Sequence, residues 1–315
     1  MKKTALKLIG ILIGIFIGLL FAEIASRIYF SSKDYTSVGR YQALGKTRGI
    51  TSSIKKEKDI IRIAFSGDSY TYGFGVEEDD TFPEILEKRI NDENETKVEC
   101  LNFGHRGANV SKELKILNKK ILSYSPDIIV HGFVMNDFTH PKLQKKNYEF
   151  YKNDKIKYRP FRNFEKYSRF LYFLDQTIFT LFGKSGKAQI SNLNDLYDPE
   201  KNPHFDIMKK SLEDLVKTIS SYNGIVAFFP HFIKNESEYD FYKKSIRIVS
   251  SLCEKYEVEF IELLPVFSHK PYFKWWIHPH DHHPNKEAHE IIAETLMKRI
   301  GKKIGESGIR TPGTR

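Results

Sequence analysis

Short strand-like runs recur along the chain at 60–65, 97–101, 128–133, 225–229 and 259–262, and helical patterns separate them at 82–91, 111–123, 205–222, 237–256 and 285–300. A run of four to eight largely apolar residues suits a strand covered on both faces. Strands that alternate with helices of ten or more residues must be joined by crossovers, which makes the sheet parallel and places helices on both of its sides. The expected fold class is therefore α/β, a flavodoxin-like three-layer α/β/α sandwich with a five-stranded parallel sheet. At 315 residues with 40% hydrophobic content, one large domain with accessory segments is the natural count.

In such a sheet, functional groups collect beyond the carboxyl ends of the strands. The first run stops at Gly67-Asp68-Ser69, the second leads into Asn102-Phe103-Gly104-His105-Arg106-Gly107, and the third into Val134-Met135-Asn136-Asp137. Near the C-terminus stands Asp281-His282-His283-Pro284-Asn285. Serine is a poor nucleophile unless a neighbouring base takes its proton and an acid holds that base in the right tautomer. Ser69, His283 and Asp281 supply those three groups. Each block alone also has a plain reading: a βα turn at Gly67-Asp68-Ser69, a turn glycine at Gly107, an Asx-turn at Asn136-Asp137, and a helix start at Pro284-Asn285. All four in this order, each at a strand end, point to one site. The Gly-x-Ser-x-Gly elbow of α/β-hydrolases is missing around Ser69.

On these blocks the chain resembles the SGNH (GDSL-like) hydrolases over about residues 60–300, with Ser69, Gly107, Asn136 and His283 matching the four family positions in order. The resemblance implies Ser69 as nucleophile, and the backbone N–H groups of Ser69 and Gly107 with the side-chain amide of Asn136 as the oxyanion hole. Gly104 competes with Gly107 for that role. Many members carry Asp three residues before the histidine, where this chain has His280. The acid is therefore assigned to Asp281, and the alternative is a Ser-His dyad helped by a backbone carbonyl.

His278, His280, His282, His283 and His289 crowd into one stretch and raise a rival metal reading. Their spacing does not fit the His-x-His-x-Asp-His pattern of binuclear metallohydrolases, so neither metal nor cofactor is expected, and His289, on the helix expected over 285–300, is assigned either to supporting the site from behind or to a structural place. The formal charge of +10 comes without a nucleic-acid recognition motif, and the lysines scatter over predicted helix faces. Cys100 and Cys253 are expected to pack, with nothing compelling a disulfide.

Lys2, Lys3 and Lys7 precede an uncharged stretch, 8–22, and apolar character resumes after Glu23. Segment 1–30 is expected to be a retained signal-anchor that crosses a membrane, since no small-x-small cleavage site follows it. A cleaved signal peptide is the second reading. Basic residues on the far side of the apolar core, Arg27, Lys33, Arg40, Lys46 and Arg48, blunt the charge asymmetry that sets orientation; similar anchored hydrolases imply a catalytic domain outside the cytoplasm. Residues 31–59 read as a polar stalk, 60–300 as the hydrolase domain, 138–203 as an aromatic and basic insertion that either caps the crevice or packs peripherally, and 301–315 as a disordered tail. The expected function is a serine esterase removing an acyl group, O-acetyl above all, from an envelope carbohydrate. The alternatives are an O-acyltransferase using the same site, or a non-catalytic envelope-binding protein on the same scaffold.

Overall fold

The computed structural model describes residues 2–31, 53–93, 97–142, 160–161, 168–182, 193–278 and 281–306. The chain divides into two compact units, one of residues 1–36 with 146–189 and the other of 37–145 with 190–315. The insertion expected over 138–203 is thus split: its ends belong to the larger unit and its middle groups with the N-terminus.

In the larger unit, strands β1 (Ile60–Gly67), β2 (Lys97–Asn102), β3 (Ile128–Val134), β4 (Ile225–Phe229) and β5 (Glu259–Glu262) form one sheet in the order β2-β1-β3-β4-β5. Every pairing is parallel. The order reverses at β1 and β3, so a crevice opens outside their carboxyl ends, where Gly67 leads to Ser69 and Val134 leads to Asn136.

Alternate strand residues serve two cores. Ala64, Ile129, Phe133, Val226 and Phe228 pack beneath helices α4 (Val110–Lys119), α6 (Phe205–Ser220) and α7 (Asp240–Lys255). Ile63, Phe65, Val130, Ala227 and Phe229 pack beneath α3 (Phe82–Glu93) and α8 (Lys286–Glu306). The helices meet the sheet through apolar stripes at helical spacing, Phe82, Leu86 and Ile90 on α3 and Met208, Leu212, Leu215 and Ile219 on α6. Each such side chain, once buried, contributes ~1.5–3 kcal/mol of transfer free energy. Arg62, on β1, is charged and buried. Its guanidinium is 2% exposed and bonds Glu99, the carbonyls of Ser53, Ile54 and Tyr124, so the end of the expected stalk is stitched to the sheet.

A second sheet, with no counterpart among the expected strands, is an antiparallel hairpin of β6 (Trp276–His278) and β7 (Asp281–Pro284). Helix α8 runs six residues into the expected tail before ending at Glu306, because Ile300 is fully buried and Ile304 packs on the same core. Both cysteines are free and buried, and burial pushes the Cys253 thiol up to about 12.

The smaller unit contains α1 (Lys2–Ser31) and α5 (Arg169–Phe182). Residues Ile9–Ile28 of α1 form the one described helix segment long and apolar enough to cross a membrane.

Candidate active site

Strand β1 ends at Gly67, and Asp68 caps the single helical turn α2 (Ser69–Tyr72) by accepting the Tyr70 N–H at 2.8 Å. Gly73 closes the turn at once, and the Phe74 N–H returns to the Ser69 carbonyl at 3.0 Å. Ser69 is therefore held at the first position of a rigid elbow over the sheet.

The opposite wall comes from the hairpin. Along a strand, residues two apart point to the same side, and β7 thereby aims Asp281 and His283 together. The Asp-x-His spacing is the spacing of a strand. Asp281 Oδ1 lies 2.5 Å from His283 Nδ1, and His283 Nε2 lies 2.8 Å from Ser69 Oγ. With the Nδ1 proton directed at Asp281, Nε2 is the acceptor and the Ser69 hydroxyl donates to it. Asp68 Oδ2 is a more distant acceptor for the same hydroxyl, at 3.2 Å. Pro284 and Asn285 also serve a structural purpose, since Asn285 Oδ1 accepts the Ala288 N–H at 3.0 Å and starts α8.

Charge around the imidazole favours its protonated form. Burial pulls the His283 pKa down, but the charge and hydrogen bond of Asp281, with the charge of Asp68, outweigh it; Arg106 opposes them, and the net direction is up. Asp68 is itself raised by burial, against the pull of the Tyr70 N–H, the His283 charge and hydrogen bonds from Asn136 and Ser69. The His283 ring is flanked by Tyr70 and Phe74, with centroids at 5.2 and 4.8 Å, and the Arg106 guanidinium stacks 4.3 Å from the Phe74 centroid.

Asn136 lies in a 3₁₀ turn directly after β3, and its amide donates to the Asp68 carboxylate. An amide nitrogen carries two N–H groups, so one remains for a substrate oxygen. Gly104 is fixed by two contacts. Its N–H is taken by Asn102 Oδ1 at 3.0 Å, and an added Cβ would lie 2.2 Å from the Tyr72 nitrogen, so Gly104 is the packing point between this loop and the Ser69 turn. The His105 N–H then bonds the Gly67 carbonyl at 2.9 Å, which returns the loop to the end of β1, and Gly107 follows, exposed, with φ of 64°.

Several groups around the site had no local sequence signal. Tyr197 donates to the Met135 carbonyl at 2.7 Å and stacks on Phe138, pinning both sides of Asn136 from about sixty residues away. Asp137 Oδ2 accepts the Val134 N–H at 2.6 Å. Glu113, His131 and Asp137 are buried beside the site; desolvation, strengthened by mutual repulsion and by Asp68, lifts Glu113 and Asp137 well above the usual carboxylate range, and drives His131 down to about 3.

The histidine-rich stretch disperses. His282 stacks on Trp276 at 4.0 Å, while His289 is buried on α8 against Phe82 and accepts the Phe82 N–H at 3.3 Å. The side chains of His278 and His280 lie outside the described residues. Among the described residues no group of three or more His, Cys, Asp or Glu is arranged to hold a metal ion.

The profile of the GDSL-like lipase/acylhydrolase family matches residues 65–291. The chain belongs to that family. Its members act on ester bonds, and this GDSL chain is an ester hydrolase. No curated protein matches it. Solved structures similar to this GDSL hydrolase include a lipase/acylhydrolase from Enterococcus faecalis, at 14% identity and a TM-score of 0.48, covering 77% of this chain and 96% of the other. The acetylxylan esterase Axe2 from Geobacillus stearothermophilus is similar at 14% identity and a TM-score of 0.48, covering 76% and 94%. The acetyl xylan esterase AlAXEase is similar at 13% identity and a TM-score of 0.46, covering 76% and 100%.

Proposed function

We propose that the chain is a serine esterase that removes O-acetyl or another short acyl group from a carbohydrate of the cell envelope, acting outside the cytoplasm from a membrane anchor formed by α1. The observation that carries the reading is the continuous chain from Asp281 through His283 to Ser69, at 2.5 and 2.8 Å.

Ser69 Oγ attacks the ester carbonyl while His283 Nε2 takes its proton, and Asp281 stabilises the imidazolium that forms. The tetrahedral oxyanion takes hydrogen bonds from the backbone N–H groups of Ser69 and Gly107 and from the Asn136 amide. His283 then returns the proton to the leaving alkoxide. Water, activated by the same imidazole, attacks the acyl-Ser69 carbonyl and releases the acid. A sugar is a fitting leaving group, since aromatic faces take the C–H faces of pyranoses and the hairpin that carries Asp281 and His283 also carries Trp276, half-buried with its ring 5.4 Å from that of Tyr272. The long apolar span of α1 supports action at an envelope surface.

The test is turnover of p-nitrophenyl esters of increasing acyl length and release of acetate from an O-acetylated glycan by the full chain in detergent, with and without an added acceptor sugar. Acetate release without acceptor supports the esterase. Acyl transfer to the sugar with no free acetate would replace it with an acyltransferase that uses the same acyl-Ser69 intermediate.

A further inference from the structure

Helix α5 takes no part in the chemistry described above, and its composition is unusual for a surface helix. Its sequence, RFLYFLDQTIFTLF, has charges only at Arg169 and Asp175. Asp175 is buried and accepts the Phe161 N–H at 2.7 Å, so it gives the helix no charged face.

The partner of α5 is α1. Glu23 Oε2 accepts the Ser168 hydroxyl at 2.7 Å and the Phe170 N–H at 3.1 Å, and Ser168 Oγ in turn accepts the Leu171 N–H at 3.0 Å. The other Glu23 oxygen pairs with Arg27 at 2.7 Å. Around this contact α1 is half-buried at Ala22, Glu23 and Ser26, whereas Phe21, Ile24 and Ile28 are exposed. Small residues at a helix contact with a polar bond across it make up the packing mode of helices in lipid. An ionisable side chain inside an apolar span is costly unless it is paired, and the Glu23 partners come from 145 and 147 residues along the chain.

Glu23 stands five residues before Ile28, where the apolar span ends. At ~1.5 Å per residue that is ~7–8 Å inside the span, within the ~5–10 Å at which interfacial helices lie below the headgroups. Phe182, at the far end of α5, is 61% exposed.

We propose that α5 is a second membrane element, seated on the exit end of α1 and lying in the interfacial layer of the same bilayer, with lipid acyl chains covering its apolar side. This rests on the reading of α1 as a retained anchor. The catalytic unit is then connected to the membrane element at three places along the chain, after residues 36, 145 and 189.

The experiment uses the full chain in vesicles of phosphatidylcholine and phosphatidylglycerol, with an environment-sensitive fluorophore on one introduced cysteine at a time: Phe182→Cys on α5, Leu19→Cys within α1 and Lys217→Cys on α6. The wild type, whose two cysteines are buried, sets the labelling background. Lipid nitroxides near the headgroups should quench the label at 182, deep nitroxides the label at 19, and neither the label at 217. If intact mass shows residue 19 gone, or its label escapes quenching, the anchor reading has failed and this proposal falls with it. If 19 is quenched while 182 behaves like 217, α5 lies in water and the proposal alone is overturned. Glu23→Leu keeps the span apolar and touches nothing catalytic; it should reduce quenching at 182 and leave 19 and the esterase rate unchanged, and undiminished quenching at 182 would overturn the seating of α5 on α1.

Discussion

Gly67 and Gly132 stand opposite each other in the β1–β3 ladder, and the Thr71 side chain lies over both. A Cβ on Gly132 would come 2.4 Å from Thr71 Oγ1 and 2.6 Å from Phe229 Cε2, and one on Gly67 would come 2.2 Å from Thr71 Oγ1. The paired glycines let the Ser69 turn settle directly on the sheet. Gly132→Ala should therefore cost ~1–3 kcal/mol of stability by overpacking and lower kcat, because Thr71 can move only with the turn that holds Ser69. Denaturant unfolding and ester turnover measure the two effects, and a variant unchanged in both would show that the contact has slack.

Ser69→Ala removes the oxygen proposed to attack and leaves the Asp68 cap in place. Turnover should fall by on the order of 10³ or more, with an unchanged unfolding transition. A folded variant with full turnover would exclude Ser69 as nucleophile.

Chelation provides the test of the rival histidine reading. A Ser69–His283–Asp281 triad needs no metal, so on the proposed reading prolonged treatment with EDTA or phenanthroline should leave the rate intact. Loss of activity that zinc or manganese restores would favour the metal site.

The sheet was legible because its three central strands, β1, β3 and β4, are near-continuous apolar runs with helical patterns between them, while the edge strands β2 and β5 mix charged and apolar residues. The expected 60–65 and 128–133 are contained in Ile60–Gly67 and Ile128–Val134, and the extra residues at the first are Ser66 and Gly67, polar or small yet paired with His131 and Gly132. Helix α8 ends six residues beyond the expected 300 for a physical reason. Gly301 costs ~1 kcal/mol in a helix, but burial of Ile300 and Ile304 on either side of it outweighs that cost. The β6–β7 hairpin was hidden because its strands are short and bulged between Trp276 and His278, although Asp281 and His283 at a separation of two already had strand spacing. Tyr197, which supports Asn136 through Met135, belongs to a contact that only the tertiary fold creates.

The loop after β4 offers a stability test. Glu236 is buried and accepts the His231 and Ile233 N–H groups at 2.6 and 3.3 Å, yet desolvation outweighs those bonds and lifts its carboxyl from 4.5 to about 7. A carboxyl raised on folding binds more protons folded than unfolded in that window. Its effect is to make the native state lose stability as pH rises from 4.5 towards 7, with no further loss above. Glu236→Gln removes this titration, so the stability of wild type minus that of the variant should fall across the window and then level. A difference independent of pH would mean that Glu236 does not titrate there.

Asp281 should control both the rate and its pH dependence. The net upward shift of His283 places the inflection of kcat/KM, below which the imidazole is protonated and cannot act as base, above the ordinary 6.5. Asp281→Asn removes the charge that raises the imidazole and leaves the opposing burial, so the inflection moves to lower pH. It also allows the wrong tautomer at Nδ1, so kcat should drop by about two orders of magnitude or more. Arg106→Gln acts in the other direction, since Arg106 lowers the His283 pKa, and its inflection should move up. His280→Ala, at a position outside the described residues, should leave the inflection in place. If Asp281→Asn proves nearly silent while His280→Ala is damaging, Asp281 is not the acid, and the site works as a Ser69–His283 dyad.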